Sequence, residues 1–348
     1  MIFSKKPILG VDLGSRNLKG VQLKKDKKGK VSLAAHFFQD LALTTHTYPS
    51  NCKRDEALKA ALEIQSLSSR NVAATVKDSE LLTFNLELPT MSEKEMEKIV
   101  PLEVTELGQL RMDEHTFDFI VHPKFVKAYC VKNTTVLKQI RILESAGLNP
   151  KTIESEMMAI NTMLKFNDYI GNKKAVVVFD LGENQINSAL ICDGLLTLTR
   201  SNETSFGQAN LALKESCNLS HKEAEGLIQK YDFLLGPGEE KNAANTILDD
   251  LFTEIFKTIK TDLELYQDYG DVVTPLDEVL LVGGGSQMKS AAKIIEKFLK
   301  VPATVVNPFR NIDIFGTNES STEIGELAPY MGMAVGLALA AFEKGKAA

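Results

Sequence analysis

Cysteine and histidine are scarce in this chain, and neither is arranged for chemistry. The four cysteines, at 52, 130, 192 and 217, are far apart and form no Cys-x-x-Cys pair. They read as reduced thiols of a cytosolic protein and not as a disulfide frame. The five histidines are scattered, with no His-Glu-x-x-His spacing, so a transition-metal centre of that kind is excluded. No apolar run reaches the roughly 18 to 20 residues of a membrane span. The longest, GMAVGLALAAF at 332–342, reads as a buried helix. An excess of positive charge is also missing. Lys and Arg number 40 against 46 Asp and Glu, a net charge of -6, which gives nucleic-acid binding no electrostatic support. The opening MIFSKKPILG is too short for a signal peptide before it enters a strand. The P-loop pattern GxxxxGKS/T is absent, and GGGSQM at 283–288 breaks the GxGxxG spacing.

What remains is an average globular composition, 44% hydrophobic and 25% charged, over 348 residues. That length suits two domains or two lobes. Strands are expected around 8–23 and 30–37, joined by the lysine-rich tip KKDKKGK (24–30), then a helix at 55–69 and strands over 72–89. The segment 92–142 changes character. A charged helix with a Ser92/Glu95 capping box is interrupted at Pro101, followed by strands HTFDFIVHP and KAYCVKN and a helix stopped by Gly147. It reads as an inserted helix–strand–strand–helix piece. A helix is predicted over 149–166. Strands follow at 175–200 with a hairpin turn at Asp193-Gly194, then helices near 207–231 and 243–268 around the loop LLGPGEEKN, and a final helix at 327–343.

One repeat stands out. Asp-Leu-Gly occurs at 12–14 and 180–182, each time directly after an apolar strand and each time opening a strand–turn–strand. Two copies half a chain apart point to two lobes of one ancestral plan. A nucleotide held between lobes needs a tight turn from each side, and Gly14 and Gly182 let main-chain N–H groups approach phosphate. Ser15 and Asn17 add side-chain donors, and Arg16 or Lys19 offsets phosphate charge. Asp12 and Asp180 then suit a shared Mg2+, held through water. VGGGS at 282–286 lies between a strand and a helix, where Gly283, Gly284 and Gly285 permit close approach to a flat ring or a phosphate.

With strand–DLG–hairpin, a second such unit and strand–GGGS–helix in this order, the chain resembles the actin-like ATPase superfamily. Within it, the chain is similar to the type IV pilus assembly protein PilM family, relatives of the division protein FtsA. The likeness runs through VPLEVTELGQLRMDEHTFDF (100–119), ILESAGLNPKTIESEMMAI (142–160), SFGQANLALKESCNLSHKEAEGL (205–227), VVNPF (305–309) and YMGMAVGLALA (330–340). It implies an α/β fold of two actin-like lobes with a duplicated strand–hairpin–helix core and an inserted FtsA/PilM-type subdomain. The implied division is 1–74, 143–174 and 325–348 for the first lobe and 75–142 for the insert. The second lobe takes 175–206 and 272–324, and a helical subdomain takes 207–271.

The resemblance further implies ATP and Mg2+ as cofactors. The first phosphate loop would span Gly10 to Lys19, the second would centre on Asp180 and Gly182, and Gly283 to Ser286 would hold adenosine. Glu225 matches a position that reaches ribose or adenine, and Gly207 lies in the counterpart of a Phe-Gly-Gly motif that reads Phe-Gly-Gln208 here. Two further departures fall in the second loop: Glu183 lies near the phosphates, and Ile186 replaces an expected threonine. Hydrolysis is therefore expected to be slow or absent, with Glu156 or Gln185 as the groups that could orient water. The implied role is a cytoplasmic scaffold of a pilus or secretion platform, peripheral to the inner membrane. It would grip the cytoplasmic tail of a PilN-like membrane protein in a groove beside the insert. The alternatives are a nucleotide-free adaptor resembling the L protein of type II secretion, or a small-molecule kinase using Asp118 or Asp232 as base.

Overall fold

The computed structural model describes residues 7–41, 54–63, 67–231, 243–267, 275–289, 291–314 and 321–344. Strands β1 (Leu9–Leu13), β2 (Asn17–Lys25) and β3 (Val31–Asp40) form an antiparallel meander. Helix α1 (Arg54–Glu63) precedes β4 (Asn71–Val76), which runs parallel to β1. The chain then leaves the sheet to build β5 (Leu82–Leu86), α2 (Glu93–Gly108), β6 (His115–Val121) and β7 (Val126–Lys132), a small sheet in the order β5-β7-β6. Helix α3 (Asn133–Ser145) returns it to β8 (Asn149–Ser155), parallel to β4, and the first sheet is complete as β3-β2-β1-β4-β8.

Helix α4 (Glu156–Phe166) leads to the second half. There β9 (Ala175–Leu181), β10 (Ile186–Cys192) and β11 (Leu195–Asn202) repeat the meander. Helices α5 (Phe206–Cys217), α6 (His221–Lys230) and α7 (Ala243–Gln267) follow, then β12 (Glu278–Val282), α8 (Ala291–Leu299) and β13 (Ala303–Val305). The second sheet reads β11-β10-β9-β12-β13, with β12 parallel to both neighbours. This is the order of the first sheet with the same parallel and antiparallel pairings, so the repeat seen in Asp-Leu-Gly extends to whole lobes. Helices α9 (Ser321–Leu327) and α10 (Gly332–Lys344) end the described chain.

The main core lies between the sheets. Val21, Leu23 and Leu33 from one side and Val176, Val178 and Leu280 from the other close over Met157, Ile160, Met163, Leu337 and Ala338 of α4 and α10. The apolar run at 332–342 is thus a buried helix, as expected. Among the described residues no single helix is long and apolar enough to cross a membrane. The three described cysteines are free. Cys52, Asp232 and the loop at 234–242 lie outside the described residues.

Several expectations change. Residues 149–155 are a strand and not the start of a helix. Pairing with β4 overrides the local pattern, and the helix begins only where the Ser155 side chain accepts the Met158 N–H at 3.1 Å. Helix α2 passes through Pro101 unbroken, because Val100 and Val104 on either side of it are fully buried against the small sheet. The helix expected over 207–231 is two, separated where Asn218 adopts a left-handed φ of 52° and a Ser220/Glu223 capping box starts α6. The final helix is likewise divided, at Pro329. Helix α3 joins the two parts: it packs on β4 and β8 of the first sheet, where it buries Leu143, and also contacts β7 of the insert.

Two glycines fix the central helix. A Cβ on Gly10 would strike the Ala334 carbonyl and lie 2.6 Å from the Ala338 nitrogen, and one on Gly336 would strike the Ala159 carbonyl. Main chain cannot yield as a side chain does. Gly10→Ala should therefore lower the unfolding free energy by at least about 1–3 kcal/mol in a urea titration. An unchanged midpoint would show that α10 is not held this closely.

Candidate functional site

The ends of β1 and β9 meet at one open cleft between the lobes. Each strand leads into a tight turn with the same constraint. A Cβ on Gly14 would lie 2.6 Å from the Asn17 carbonyl, and one on Gly182 would lie 2.7 Å from the Gln185 carbonyl. Only glycine fits that approach. Asp12, Gly14, Ser15, Arg16, Asn17 and Lys19 line the cleft from the first lobe. Asp12 stands opposite Lys19 across the β1–β2 pair, and the Lys19 Nζ lies 2.6 Å from its carboxylate. Arg16 donates to Asp40 at 2.7 Å, while its Nη1 is buried without a partner among the described residues. Gly10 does not face the cleft; it is the packing contact with α10.

In the second turn the register is the same but the chemistry differs. Asp180 stands opposite Asn187, whose amide donates to Glu156 at 3.1 Å. Ile186 occupies the place of Leu18: both are fully buried in their lobe cores, so this departure lies outside the cleft. Glu183 does line it. Its main-chain carbonyl accepts the Gly207 N–H at 2.8 Å, and Gly207 itself sits behind the turn instead of in the cleft.

Carboxylates crowd the floor. Burial pushes the Asp180 carboxyl up to about 6; the Lys19 ammonium opposes this and the Asp12 carboxylate adds to it. Burial pushes Asp78 to about 7, against a 2.8 Å hydrogen bond from the Met157 N–H. Glu156 is raised well above the usual carboxylate range by burial and by Asp78, Asp180 and Asp12. It is not a solvated helix carboxylate: the Asp78 N–H also donates to it, at 3.3 Å. Such a floor is short of positive charge, and a hard cation would relieve it. Asp12 and Asp180, one from each lobe, are the lining carboxylates that could hold such a cation. Among the described residues no group of three or more acidic, histidine or cysteine side chains could chelate a metal by itself.

The opposite wall carries the glycine run. Gly283 has a left-handed φ of 83°, and a Cβ there would strike the Asp180 carboxylate. A Cβ on Gly284 would lie 2.7 Å from the Tyr330 ring, and one on Gly285 would strike the Phe206 ring. These glycines therefore approach flat rings that belong to the protein itself. All three line the cleft, but Ser286 does not; its hydroxyl donates back to the Gly283 carbonyl at 2.7 Å. Glu225 lines it and accepts from Tyr330 at 3.4 Å, and that phenol is pushed to about 12 by burial and by Glu225.

Sequence reasoning missed Tyr330, Gln229, His221 and Asn210, all of which line this wall. Burial and the nearby Arg16 charge lower His221 to about 4. His221 and Tyr330 lie in the SHKEAEGL and YMGMAVGLALA segments that carry the family resemblance, but nothing in those segments singles out either residue. Asp118 is on β6, away from this cleft.

A raised carboxyl pKa favours the protonated form in the folded chain. Its stabilisation is complete below the unfolded value, near 3.8, and is lost as pH rises through about 6 for Asp180 and about 7 for Asp78. The ligand-free protein should thus lose stability from about pH 4 to about pH 7. Asp180→Asn should remove on the order of 1–2 kcal/mol of that slope. Urea midpoints measured across the range would check this, and equal slopes for the two proteins would contradict it.

The model of the family described as type IV pilus assembly protein PilM matches residues 10–342. A solved PilM–PilN type IV pilus biogenesis complex is 20% identical with a TM-score of 0.77, over 96% of this chain and 98% of that one. Ethanolamine utilization protein EutJ from Carboxydothermus hydrogenoformans is 14% identical, TM-score 0.51, over 96% and 89%. MreB5 of Spiroplasma citri bound to ADP is 12% identical, TM-score 0.52, over 89% and 94%. These likenesses are of fold: two actin-like lobes, here with an inserted small sheet. With its matched segment running from the first strand into the last helix, this chain belongs to the type IV pilus assembly protein PilM family.

Proposed function

We propose that this chain is an ATP-binding scaffold of a type IV pilus assembly platform, and that it grips the cytoplasmic tail of a PilN-like inner-membrane protein. The observation that carries the nucleotide half is the meeting of two glycine turns at one cleft, each with an aspartate at its strand end. Their N–H groups, with Ser15, Asn17 and Lys19, would cradle the phosphates. Asp12 and Asp180 would hold Mg2+ through water, and the cation would offset phosphate charge. Gly283 to Gly285, Tyr330 and Glu225 would take adenosine. A structural relative bound to ADP, MreB5, supports the reading.

Hydrolysis is slow in this reading. Glu156 would be the group that orients water, yet it is already engaged by Asn187 and the Asp78 N–H. One observation favours a nucleotide-free adaptor instead: the extra Glu183 carboxylate lines the cleft and helps raise Tyr330.

For the partner, a second cleft lies between the small sheet and the β4, β8 and α4 side of the first lobe. Strand β6 is an edge of its sheet and β8 an edge of the first, so an extended peptide would find unpaired main-chain groups there. The likeness to a PilM solved together with PilN supports a PilN-like occupant. The protein is then cytoplasmic and is held at the inner membrane through that tail and other platform components.

Calorimetric titration with ATP and Mg2+ tests the first half. Micromolar binding that vanishes in Asp12→Ala is the expected result. No heat with either protein would replace the nucleotide-binding scaffold by the nucleotide-free adaptor.

A further inference from the structure

Strands β2 and β3 meet in the stretch KKDKKGK, residues 24–30, and every residue of it is exposed. The turn is fixed by its own bonds. The Asp26 N–H donates to the Lys30 carbonyl at 3.0 Å, and the Gly29 N–H, at a φ of 89°, donates to the Asp26 carbonyl at 3.1 Å. One oxygen of the Asp26 carboxylate accepts the N–H groups of Lys28 and Lys30 at 2.8 and 2.9 Å, which turns it to main chain and not to an ammonium. Next to the turn, β3 is bridged to Asp313. The Asp313 N–H donates to the Val31 carbonyl at 3.0 Å, and the Leu33 N–H donates to the Asp313 carbonyl at 2.9 Å. The Asp313 carboxylate holds the Lys30 ammonium at 2.6 Å.

The other four lysines are left over. Lys24, Lys25, Lys27 and Lys28 form no side-chain hydrogen bond or ion pair among the described residues. Five ammonium groups thus stand against the two carboxylates of Asp26 and Asp313, an excess of three positive charges at one corner of a chain whose total is -6. Apolar groups are missing from the tip as well. Leu23 and Val31 on either side of it are buried, and no residue between them has an apolar side chain.

That combination favours one kind of partner. A protein interface is anchored by buried aromatic or arginine side chains, and the tip has neither. Duplex nucleic acid needs a basic surface across several phosphates, and this chain is acidic overall. An anionic lipid surface asks for neither shape nor register. Its headgroups gather around lysine point charges, each of which contributes separately.

We propose that the β2–β3 tip contacts the surface of an anionic bilayer through Lys24, Lys25, Lys27 and Lys28. The inference adds a direct lipid contact to the reading of a chain held at the inner membrane by a bound tail. Strand β2 is antiparallel to β1, and β4 is parallel to β1. The tip therefore lies at the end of the first sheet opposite to Asp12, at the first cleft, and to Val76, at the second. With lipid at the tip, both clefts stay open. Strands of this length separate the two ends by roughly 20–30 Å, so a tail in the second cleft needs about eight extended residues to reach back to the bilayer.

Co-sedimentation of the intact chain with phosphatidylglycerol-containing vesicles tests the contact. Neither nucleotide nor tail peptide is present, so failure here is distinct from failure of the proposed function. Each of Lys24→Gln, Lys25→Gln, Lys27→Gln and Lys28→Gln should lower the partition coefficient about fivefold, and the four together at least about a hundredfold. A control variant with the same loss of charge, in which exposed Lys94, Lys98, Lys138 and Lys297 are changed to glutamine, should stay within about twofold of the wild type. Raising salt from about 0.1 to about 1 M, which shortens the screening length from about 10 to about 3 Å, should release the wild type.

Binding that the control variant loses as fully as the tip variant would overturn the inference. So would equal binding to pure phosphatidylcholine vesicles, or binding to neither kind. Tip-dependent binding to a DNA duplex that is tighter than to the vesicles at equal salt would overturn it in favour of nucleic acid.

Discussion

Helix α10 meets β1 and α4 with only main chain between them. At Gly10 the strand lies against the Ala334 carbonyl, and at Gly336 the helix lies against the Ala159 carbonyl. These contacts carry no specific chemistry, but they set where everything else stands. Asp12 is the last residue but one of β1 and α4 begins at Glu156, so the position of both carboxylates follows from how closely α10 sits. The second lobe is tied to the same layer, because residues of β9, β10 and β12 close over α4 and α10 from the other side. Close packing of this kind has few continuous adjustments; it holds or it shifts as a unit.

The cleft floor runs against stability. Asp78, Glu156 and Asp180 are held where burial disfavours their charges, and no lysine beyond Lys19 pairs with the floor among the described residues. Conflicts of this sort collect at sites that await a ligand. The first turn of α4 carries the conflict toward the second cleft. Glu156 lines the first cleft, while Ser155 and Met158, on either side of it, line the other. The N–H of Met157, between them, is held by Asp78. One helical turn is therefore wall to both cavities.

The sequence made some of this legible and hid the rest for identifiable reasons. The paired Asp-Leu-Gly turns are readable because their constraint is local: a carbonyl three residues on excludes any side chain at Gly14 and Gly182. Capping boxes at Ser92 and Ser220 are equally local, though only the first stood out ahead of the fold. Strand β8 is not readable, since its state depends on β4, which lies some seventy positions earlier in the chain. Ile186 looks like a defect in a motif, and only the match with Leu18 in the other lobe shows it to be core. The glycine run suggests room for a ligand's ring, whereas Tyr330 and Phe206 already lie against it. Tyr330 itself carries no pattern that a one-dimensional reading could single out.

The duplication is close in backbone but not in the side chains that follow each Asp-Leu-Gly. Where the first turn sets Lys19 opposite Asp12, the second sets Asn187 opposite Asp180. Two identical jaws would accept an elongated anion in either direction with equal ease. A cation on one side and a neutral amide on the other remove that degeneracy, so an unevenly charged ligand has one preferred heading. The repeated lobe plan gives this cleft its symmetry, and unlike side chains, Arg16 and Lys19 on one turn and Glu183 on the other, give it polarity.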